Sequence, residues 1–283
     1  MKMKILILMI MAMTLELSAM SENDVKNYIK NYMEKKIKSP VKSIDVISSY
    51  PIEELPGWTV YFLSMKVNIK LAGKSQDMMV NQTVFTKDKK ITLKLIKKGK
   101  YGKKDQNYAK LLKPKVPLDA YDDAHLLIGS KDAPHKIVLF SDPFCPFCRE
   151  KVPEVLEVVK KNPDIYGLYY YHLPLLKIHP ASDLTTKAMH IFQKRGELDK
   201  MMALYDLFLE PTETNPQEII KAIKEKTGVA FTLEELESPE VKDAIQTDLA
   251  MKRRLLVTGT PTIFIDGQWD RTRKVYKQYA LHE

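Results

Sequence analysis

Cys145 and Cys148 are the only two cysteines in 283 residues, and the chain on either side of them leaves few folds open. Upstream, Ile137-Val138-Leu139-Phe140 is a short apolar run rich in β-branched residues, the pattern of a buried strand. Downstream, Val152, Val155, Leu156 and Val159 recur at helical spacing. The Cys-Pro-Phe-Cys segment therefore sits where a strand hands over to a helix. A cysteine at a helix N-terminus has its thiolate stabilised by unpaired N–H groups and by the positive end of the helix dipole. A second cysteine three residues on lies one turn further along, in reach of the first for a disulfide that opens and closes.

Two blander readings compete with reversible redox chemistry. Zinc takes about four ligands, and neither a second cysteine pair nor a His-x₃₋₅-His spacing occurs among His125, His135, His172, His179, His190 and His282. A purely structural disulfide over so short a loop would restrict the unfolded chain little, because loop entropy grows with loop length. Dithiol exchange is the reading these residues favour, with no metal and no cofactor required.

The N-terminus has its own pattern. Met1-Lys2-Met3-Lys4 is basic, Ile5 to Leu15 is an apolar stretch, and Leu17-Ser18-Ala19 ends on a small residue. The apolar stretch is shorter than the roughly 20 residues a membrane-spanning helix requires. Residues 1–19 read as a secretory signal peptide, the alternative being an uncleaved anchor or a buried N-terminal helix. Export places the cysteines where disulfides persist, and in a bacterial chain that compartment is the periplasm. The formal charge is +9. Its excess gathers between Lys87 and Lys115, where lysines alternate with Leu, Ile, Thr and Tyr and form no nucleic-acid motif. No nucleic-acid partner is expected.

After the leader, Ser21 followed by Asp24 predicts a helix start, and Val25, Tyr28, Ile29, Tyr32, Met33 and Ile37 form one apolar face up to Ser39-Pro40. Strands are predicted at 44–48, 58–71, 79–86 and 91–95, giving a small α+β meander domain over 20–98. It holds no catalytic constellation and reads as a scaffold or assembly module. Residues 99–121 suit a linker, helical in part around Tyr108 to Leu112. The second domain, 122–283, runs strand, Cys-bearing helix, a strand from Ile165 to Leu173, a helical insertion about 181–256, the strand Thr262 to Ile265, an Asp266-Gly267 turn and a last helix within Arg271 to Leu281. That is a thioredoxin-like α/β order. Arg149 and Glu150 read as a solvated first-turn face.

The second half of the site is Gly259-Thr260-Pro261. A proline at a strand start cannot donate to a ladder, and a cis bond before it would turn the Thr260 backbone toward an extended peptide lying against Cys145. Phe144 and Phe147, with Tyr169 to Tyr171 as a further option, offer an apolar rim for unfolded clients. Core packing is the equal alternative for the tyrosines.

Phe140-Ser141-Asp142-Pro143-Phe144-Cys145-Pro146-Phe147-Cys148 together with Thr260-Pro261 closely resembles the periplasmic thiol:disulfide interchange proteins of the DsbC/DsbG group. Ala124-His125-Leu126-Leu127 and Lys131-Asp132-Ala133-Pro134 resemble the start of that group's thioredoxin domain. Thioredoxin and the monomeric oxidase DsbA carry an acid six positions before the first active-site cysteine, where this chain has Leu139. Asp142 three before it, and Thr260 before the proline, match the DsbC/DsbG group instead. The resemblance implies a cystatin-like N-terminal domain that forms a homodimer, then a linker and a thioredoxin-like domain with a helical insertion. It implies Cys145 and Cys148 as catalytic residues, Pro146, Phe147, Thr260 and Pro261 as redox-tuning residues, and Phe144, Gly259 and Thr260 as contacts to substrate. The partners implied are unfolded or misoxidised exported proteins and a membrane reductase of the DsbD type. Three functions stay open: isomerase or reductase, dithiol oxidase working with a DsbB-type partner, and a non-enzymatic chaperone.

Overall fold

The computed structural model describes residues 20–38, 40–71, 74–99 and 104–280. The expected signal peptide lies outside them. The chain divides between Leu111 and Leu112 into two compact units. Among the described residues no helix is long and apolar enough to cross a membrane.

The first unit opens with helix α1 (Glu22–Ile37), which starts where a capping box predicts. The Asp24 N–H donates to Ser21 Oγ and the Ser21 N–H donates back to the Asp24 carboxylate, satisfying donors the helix cannot pair internally. Val25, Ile29 and Met33 recur on one face, and all three are buried against Val41, Tyr61, Leu63, Met65, Val67 and Val84. Those residues belong to the antiparallel sheet β1 (Val41–Pro51), β2 (Thr59–Leu71), β3 (Lys74–Lys87) and β4 (Lys90–Thr92), paired in chain order. β1 and β3 extend beyond the expected strands because pairing with β2 continues through polar residues, from Thr59 opposite Thr86 to Leu71 opposite Lys74. Backbone ladders need no apolar alternation, and Lys74 to Asp77 stay exposed while fully paired. The fourth strand is shorter than expected. After it, β5 (Ile96–Lys97) pairs with β6 (Gln106–Asn107), which leads into the single turn α2 (Tyr108–Leu111).

The second unit is built on a five-stranded sheet. Its strands in chain order are β7 (Leu126–Gly129), β8 (His135–Ser141), β9 (Tyr166–His172), β10 (Thr262–Ile265) and β11 (Gln268–Asp270), and their spatial order is β11-β10-β8-β9-β7. Only β8 and β9 run parallel. Between them lies α3 (Pro146–Lys161), and between β9 and β10 lie α4 (Ser182–Lys194), α5 (Leu198–Ala203), α6 (Pro216–Thr227), α7 (Leu233–Leu236) and α8 (Pro239–Arg254).

Both faces of this sheet are covered, which is why β8 and β9 read as continuous apolar runs. Ile137, Leu139, Leu168 and Tyr170 point into one core with α3 and α4 to α6. Val138, Phe140, Tyr169 and Tyr171 point into the other, with Met251 of α8, Leu255, Val257 and Phe264. Tyr169, Tyr170 and Tyr171 are thus core residues on the two faces of a central strand and form no rim. α8 covers the second face of the sheet, so the added helices of the expected insertion are α4 to α7. β7 was not expected; its four half-buried residues pair with β9 across a bulge and carry no alternating pattern. The expected terminal helix is, among the described residues, a 3₁₀ turn at Val275–Gln278.

Candidate active site

β8 ends at Ser141, and Asp142-Pro143-Phe144 carries the chain to Cys145, the N-cap of α3. Pro146 takes the first helical position, where the missing N–H would have had no intrahelical partner. The Cys148 and Arg149 N–H groups both donate to the Cys145 carbonyl, which closes the first turn and sets the two sulfurs on neighbouring positions. Both cysteines are free thiols. Cys145 is 5% exposed and Cys148 is fully buried.

The environments of the two sulfurs push them apart. Hydrogen bonding from the Cys148 thiol, with lesser help from Thr260 and from the Cys148 and Phe147 N–H groups, holds the Cys145 thiol at about 5 in spite of its burial. Burial pushes Cys148 up, and so does its bond to the Cys145 sulfur. The two sulfurs are thus shifted in opposite directions, Cys145 toward the thiolate and Cys148 toward the thiol.

Thr260-Pro261 arrives from 115 residues away. The Thr260–Pro261 peptide is cis, and the Thr260 carbonyl lies 3.5 Å from the Cys145 sulfur, which donates to it when protonated. The loop is held from both ends. Thr262 Oγ1 donates to the Gly259 carbonyl at 2.7 Å, and Thr262 pairs with Phe140 in the β8–β10 ladder. No heavy atom comes within 4 Å of a Cβ placed on Gly259, so the approach to Thr260 is open on that side.

Asp142 anchors the cysteine loop from inside the protein, with none of its surface exposed. Its Oδ1 accepts from the Phe144 N–H at 2.7 Å and the Ser182 hydroxyl at 2.9 Å, while Oδ2 accepts from the Leu175 N–H at 2.6 Å. His179 Nδ1 lies 3.3 Å from Oδ1. One carboxylate thereby joins the cysteine loop, the loop after β9 and the start of α4.

Two expectations change here. Phe144 is 2% exposed and packs in the core under the Arg149 guanidinium, which sits 5.4 Å from its ring centre, so it is not a rim residue. Phe147 is 65% exposed beside the dithiol. Arg149 is not simply solvated: its Nε donates to the Pro143 carbonyl at 2.9 Å and its guanidinium reaches the Leu207 carbonyl at 3.4 Å, tying α3 to the inserted helices. Sequence reasoning missed Tyr205 and the hydrogen bonds that join it to Ser141 and Tyr170. The Tyr205 hydroxyl donates to Ser141 Oγ at 2.6 Å and is hydrogen-bonded to the Tyr170 hydroxyl, and all three residues are buried. The period-2 alternation of β8 carries one usable signal, since it places Ser141 on the same face as Ile137 and Leu139, toward α3. Nothing local marks Tyr205. Among the described residues no group of His, Cys, Asp and Glu side chains is placed to hold a metal ion.

A nucleophilic thiolate at a helix start, a buried partner thiol one turn on and a cis-proline loop facing the first sulfur define a thioredoxin-type dithiol site. The sequence matches the family described as Thioredoxin over residues 122–280, more than half of its length, and the chain belongs to that family. Over 152 residues it is 28% identical to a protein named probable disulfide bond formation protein D in Bacillus anthracis, the match covering 50% of this chain and 69% of that one. Among solved structures it is similar to oxidised BdbD from Bacillus subtilis, at 15% identity over 59% of this chain and 92% of that one, with a TM-score of 0.47. It is also similar to the catalytic domain of Proteus mirabilis ScsC, at 23% identity over 54% of this chain and 84% of that one, with a TM-score of 0.43.

Proposed function

We propose that this protein is a thiol:disulfide oxidoreductase acting on exported polypeptides in the periplasm, with Cys145 as nucleophile and Cys148 as resolving thiol. The observation that carries this reading is the split between the two sulfurs, Cys145 held at about 5 at the Thr260 carbonyl and Cys148 raised and buried. The Cys145 thiolate attacks a client disulfide, a Cys145–client S–S bond forms, and the electron pair of the broken bond leaves on the second client sulfur. Either the freed thiolate opens another client disulfide and the thiolate so released attacks the Cys145–client bond, returning Cys145 as a thiolate and the client isomerised, or Cys148 attacks Cys145, the electron pair leaves on the client sulfur, and a reduced client departs from an oxidised Cys145–Cys148 pair. A client strand beside Thr260 places its disulfide at Cys145, and Phe147 offers it an exposed apolar contact.

The isomerase or reductase direction is supported by Asp142 and Thr260, the DsbC/DsbG-like residues flanking the dithiol, and by the separate helix-and-meander unit ahead of it. In that reading the first unit is a cystatin-like homodimerisation domain, and a DsbD-type membrane reductase supplies electrons. The oxidase direction is supported by the low Cys145 value, since a stabilised thiolate favours the reduced pair and makes the disulfide more oxidising. The disulfide-bond-formation name of the Bacillus relative points the same way, and a DsbB-type partner would then accept the electrons.

Trapping the dithiol in cells with an alkylating reagent separates the two: mostly reduced cysteines support isomerase, mostly oxidised cysteines support oxidase. Cys148→Ser is expected to accumulate mixed disulfides with clients on non-reducing gels, and their absence would end the two-cysteine mechanism. Client protection that survives Cys145→Ala would instead favour a chaperone. Iodoacetamide labelling of Cys145 should titrate with a midpoint near about 5, and a midpoint at the ordinary thiol value would remove the observation on which the proposal rests.

A further inference from the structure

The sheet of the first unit is closed on one side only in part. β4 pairs with β3 at Phe85, Thr86 and Lys87 and goes no further, so among the described residues no strand lies along the outer edge of β3 from Lys74 to Val84. Which backbone groups this leaves bare follows from the hairpin. Lys87 and Lys90 flank the two-residue turn Asp88-Lys89, and residues flanking such a turn exchange N–H···O=C bonds. The N–H and C=O of Lys87 therefore point toward β4 and away from β2. β3 pairs with β2 without a register shift from Thr86 to Lys74, so alternation carries that outward direction to Thr83, Asn81, Met79, Asp77 and Ser75. The Thr83 carbonyl agrees with this: it accepts from the Gln82 side-chain amide at 2.8 Å, which stands in for a neighbouring strand. The N–H and C=O groups of Ser75, Asp77, Met79 and Asn81 have no backbone partner among the described residues.

Long sheet edges are ordinarily guarded by a lysine, a proline or a bulge. Here the centre of the bare stretch is apolar. Met78 is 43% exposed and Met79 is 57% exposed, one on each face of the sheet. Met78 lies opposite Val67, which packs under α1, and so shares the face that carries the helix. On that face Tyr28 of α1 lines a groove with Met20, Asp88, Lys89 and Ile91, so the helix turns an aromatic toward the side of the sheet where the edge is open. Tyr28 is exposed, and so is Tyr32 one turn further on.

We propose that this edge binds a second copy of the chain, β3 pairing antiparallel with β3 of the other copy about a twofold axis at Met79. The inference deepens the reading of the first unit as a homodimerisation domain and rests on it. The bare stretch runs from Lys74 to Val84 and Met79 is its midpoint, so this register alone uses all of it. It sets Met79 opposite itself, Met78 opposite Val80, Asp77 opposite Asn81, Gln76 opposite Gln82 and Lys74 opposite Val84, with no like charges facing. An axis at Asp77 would face that carboxylate with its own copy. Asp77 is already paired with Lys42 and Lys66 across its own sheet, at 2.8 and 3.4 Å, and brings no unbalanced negative charge to the seam. Opposed residues share a face, so the α1 helices of both copies lie on one side of the joined sheet, where Tyr28 and Tyr32 of each cover Met78 and Val80. A surface patch of this kind is self-complementary, which a second copy requires and an unrelated partner does not.

The experiment is the mass of the full chain by light scattering, with substitutions that touch only the open edge. The wild-type chain should be a dimer. Met79→Pro removes an outward N–H, takes none of the bonds β3 makes to β2, and puts its ring where the second copy would pair. It should be a monomer at the same concentration, with its far-UV circular dichroism unchanged and a peptide disulfide reduced at the wild-type rate. Met79→Lys sets two ammonium groups opposite each other and should also give a monomer; it is the test if Met79→Pro does not fold. The register is read by cross-linking in a chain with Cys145 and Cys148 both replaced by Ser. There Met79→Cys should join two copies on mild oxidation, since directly paired Cα atoms lie about 5.5 Å apart, and Gln82→Cys should not. A monomeric wild-type chain overturns the inference and the homodimer reading together, and leaves the edge to an extended segment of another protein. A dimer that survives both Met79→Pro and Met79→Lys overturns the edge and spares the homodimer. Cross-linking through Gln82→Cys in place of Met79→Cys overturns the pairing about Met79.

Discussion

The two units of this chain solve the folding problem with different materials. In the first, a helix lays Val25, Ile29 and Met33 on one face of a meander, and Thr86 is the single buried polar side chain among the described residues. In the second, a sheet buried on both faces also encloses Ser141, Asp142, His172, Ser182, Lys187, Asp248 and Asp270. Apolar burial is nondirectional and tolerates adjustment, whereas a buried carboxylate demands particular donors in particular places. The difference teaches where geometry has to be exact: the polar interior lies in the unit that holds the dithiol, and the first unit is closed by apolar packing.

Unfolding can be read separately in each unit, because Trp58 lies in the first and Trp269 in the second. The largest expected effect is Asp142→Ala. It strands the Phe144 and Leu175 N–H groups in the interior and should cost the second unit about 3–5 kcal/mol in urea titrations followed at Trp269. Next comes Ile29→Ala in the first unit, expected to cost about 2–4 kcal/mol at Trp58 by leaving a cavity under α1. If Asp142→Ala proves milder than Ile29→Ala, the contrast between a polar and an apolar interior collapses.

A smaller effect, dependent on pH, comes from His125. Its ring lies between Asp122 and the buried Asp248, 2.7 Å from each, and is stacked 3.9 Å from Tyr171. Burial works to lower its pKa, but the bonds to Asp248 and Asp122 prevail and the net shift is upward. A raised folded-state value means the stabilisation is complete below the ordinary 6.5 and fades as pH rises through the raised value. The stability lost in His125→Gln should therefore be greater at pH 5.5 than at pH 8.5; a loss that stays flat across that range would show the aspartates act on His125 as hydrogen-bond acceptors and not as charges. His172 and His190, both pushed down chiefly by burial, act in the opposite sense and are present in both proteins under comparison. The smallest effect is Thr86→Val, expected to change the first unit by about 1 kcal/mol or less.

The same division governs what could be read in advance. α1 announced itself through Ser21, Asp24 and a single apolar stripe, and β8 with the start of α3 through a β-branched run that changes period at the cysteines. Thr260-Pro261 was legible because proline at a strand start has few uses. The polar halves of β1 and β3 were not, since main-chain pairing leaves no mark on side-chain pattern. β7 was too short and too half-buried to show an alternation. In the site, Phe144 looked like a surface aromatic because nothing in its neighbours tells that Arg149 folds back over it. The hydrogen bonds of Ser141, Leu175, Ser182 and Tyr205 escaped for one reason: a buried network joins residues by distance in space, and the chain order keeps no record of it.

The pairing of β10 with β8 has a consequence for taking the molecule apart. Four rungs, Thr262 to Ile265 against Phe140 to Ile137, carry the proline loop and the cysteine loop on one backbone ladder. A break in the chain between α5 and α6 would leave the two halves of the candidate site on different polypeptides, each carrying its own strand of that ladder. The candidate site is thus a seam between two stretches far apart in the chain, joined by main-chain hydrogen bonds.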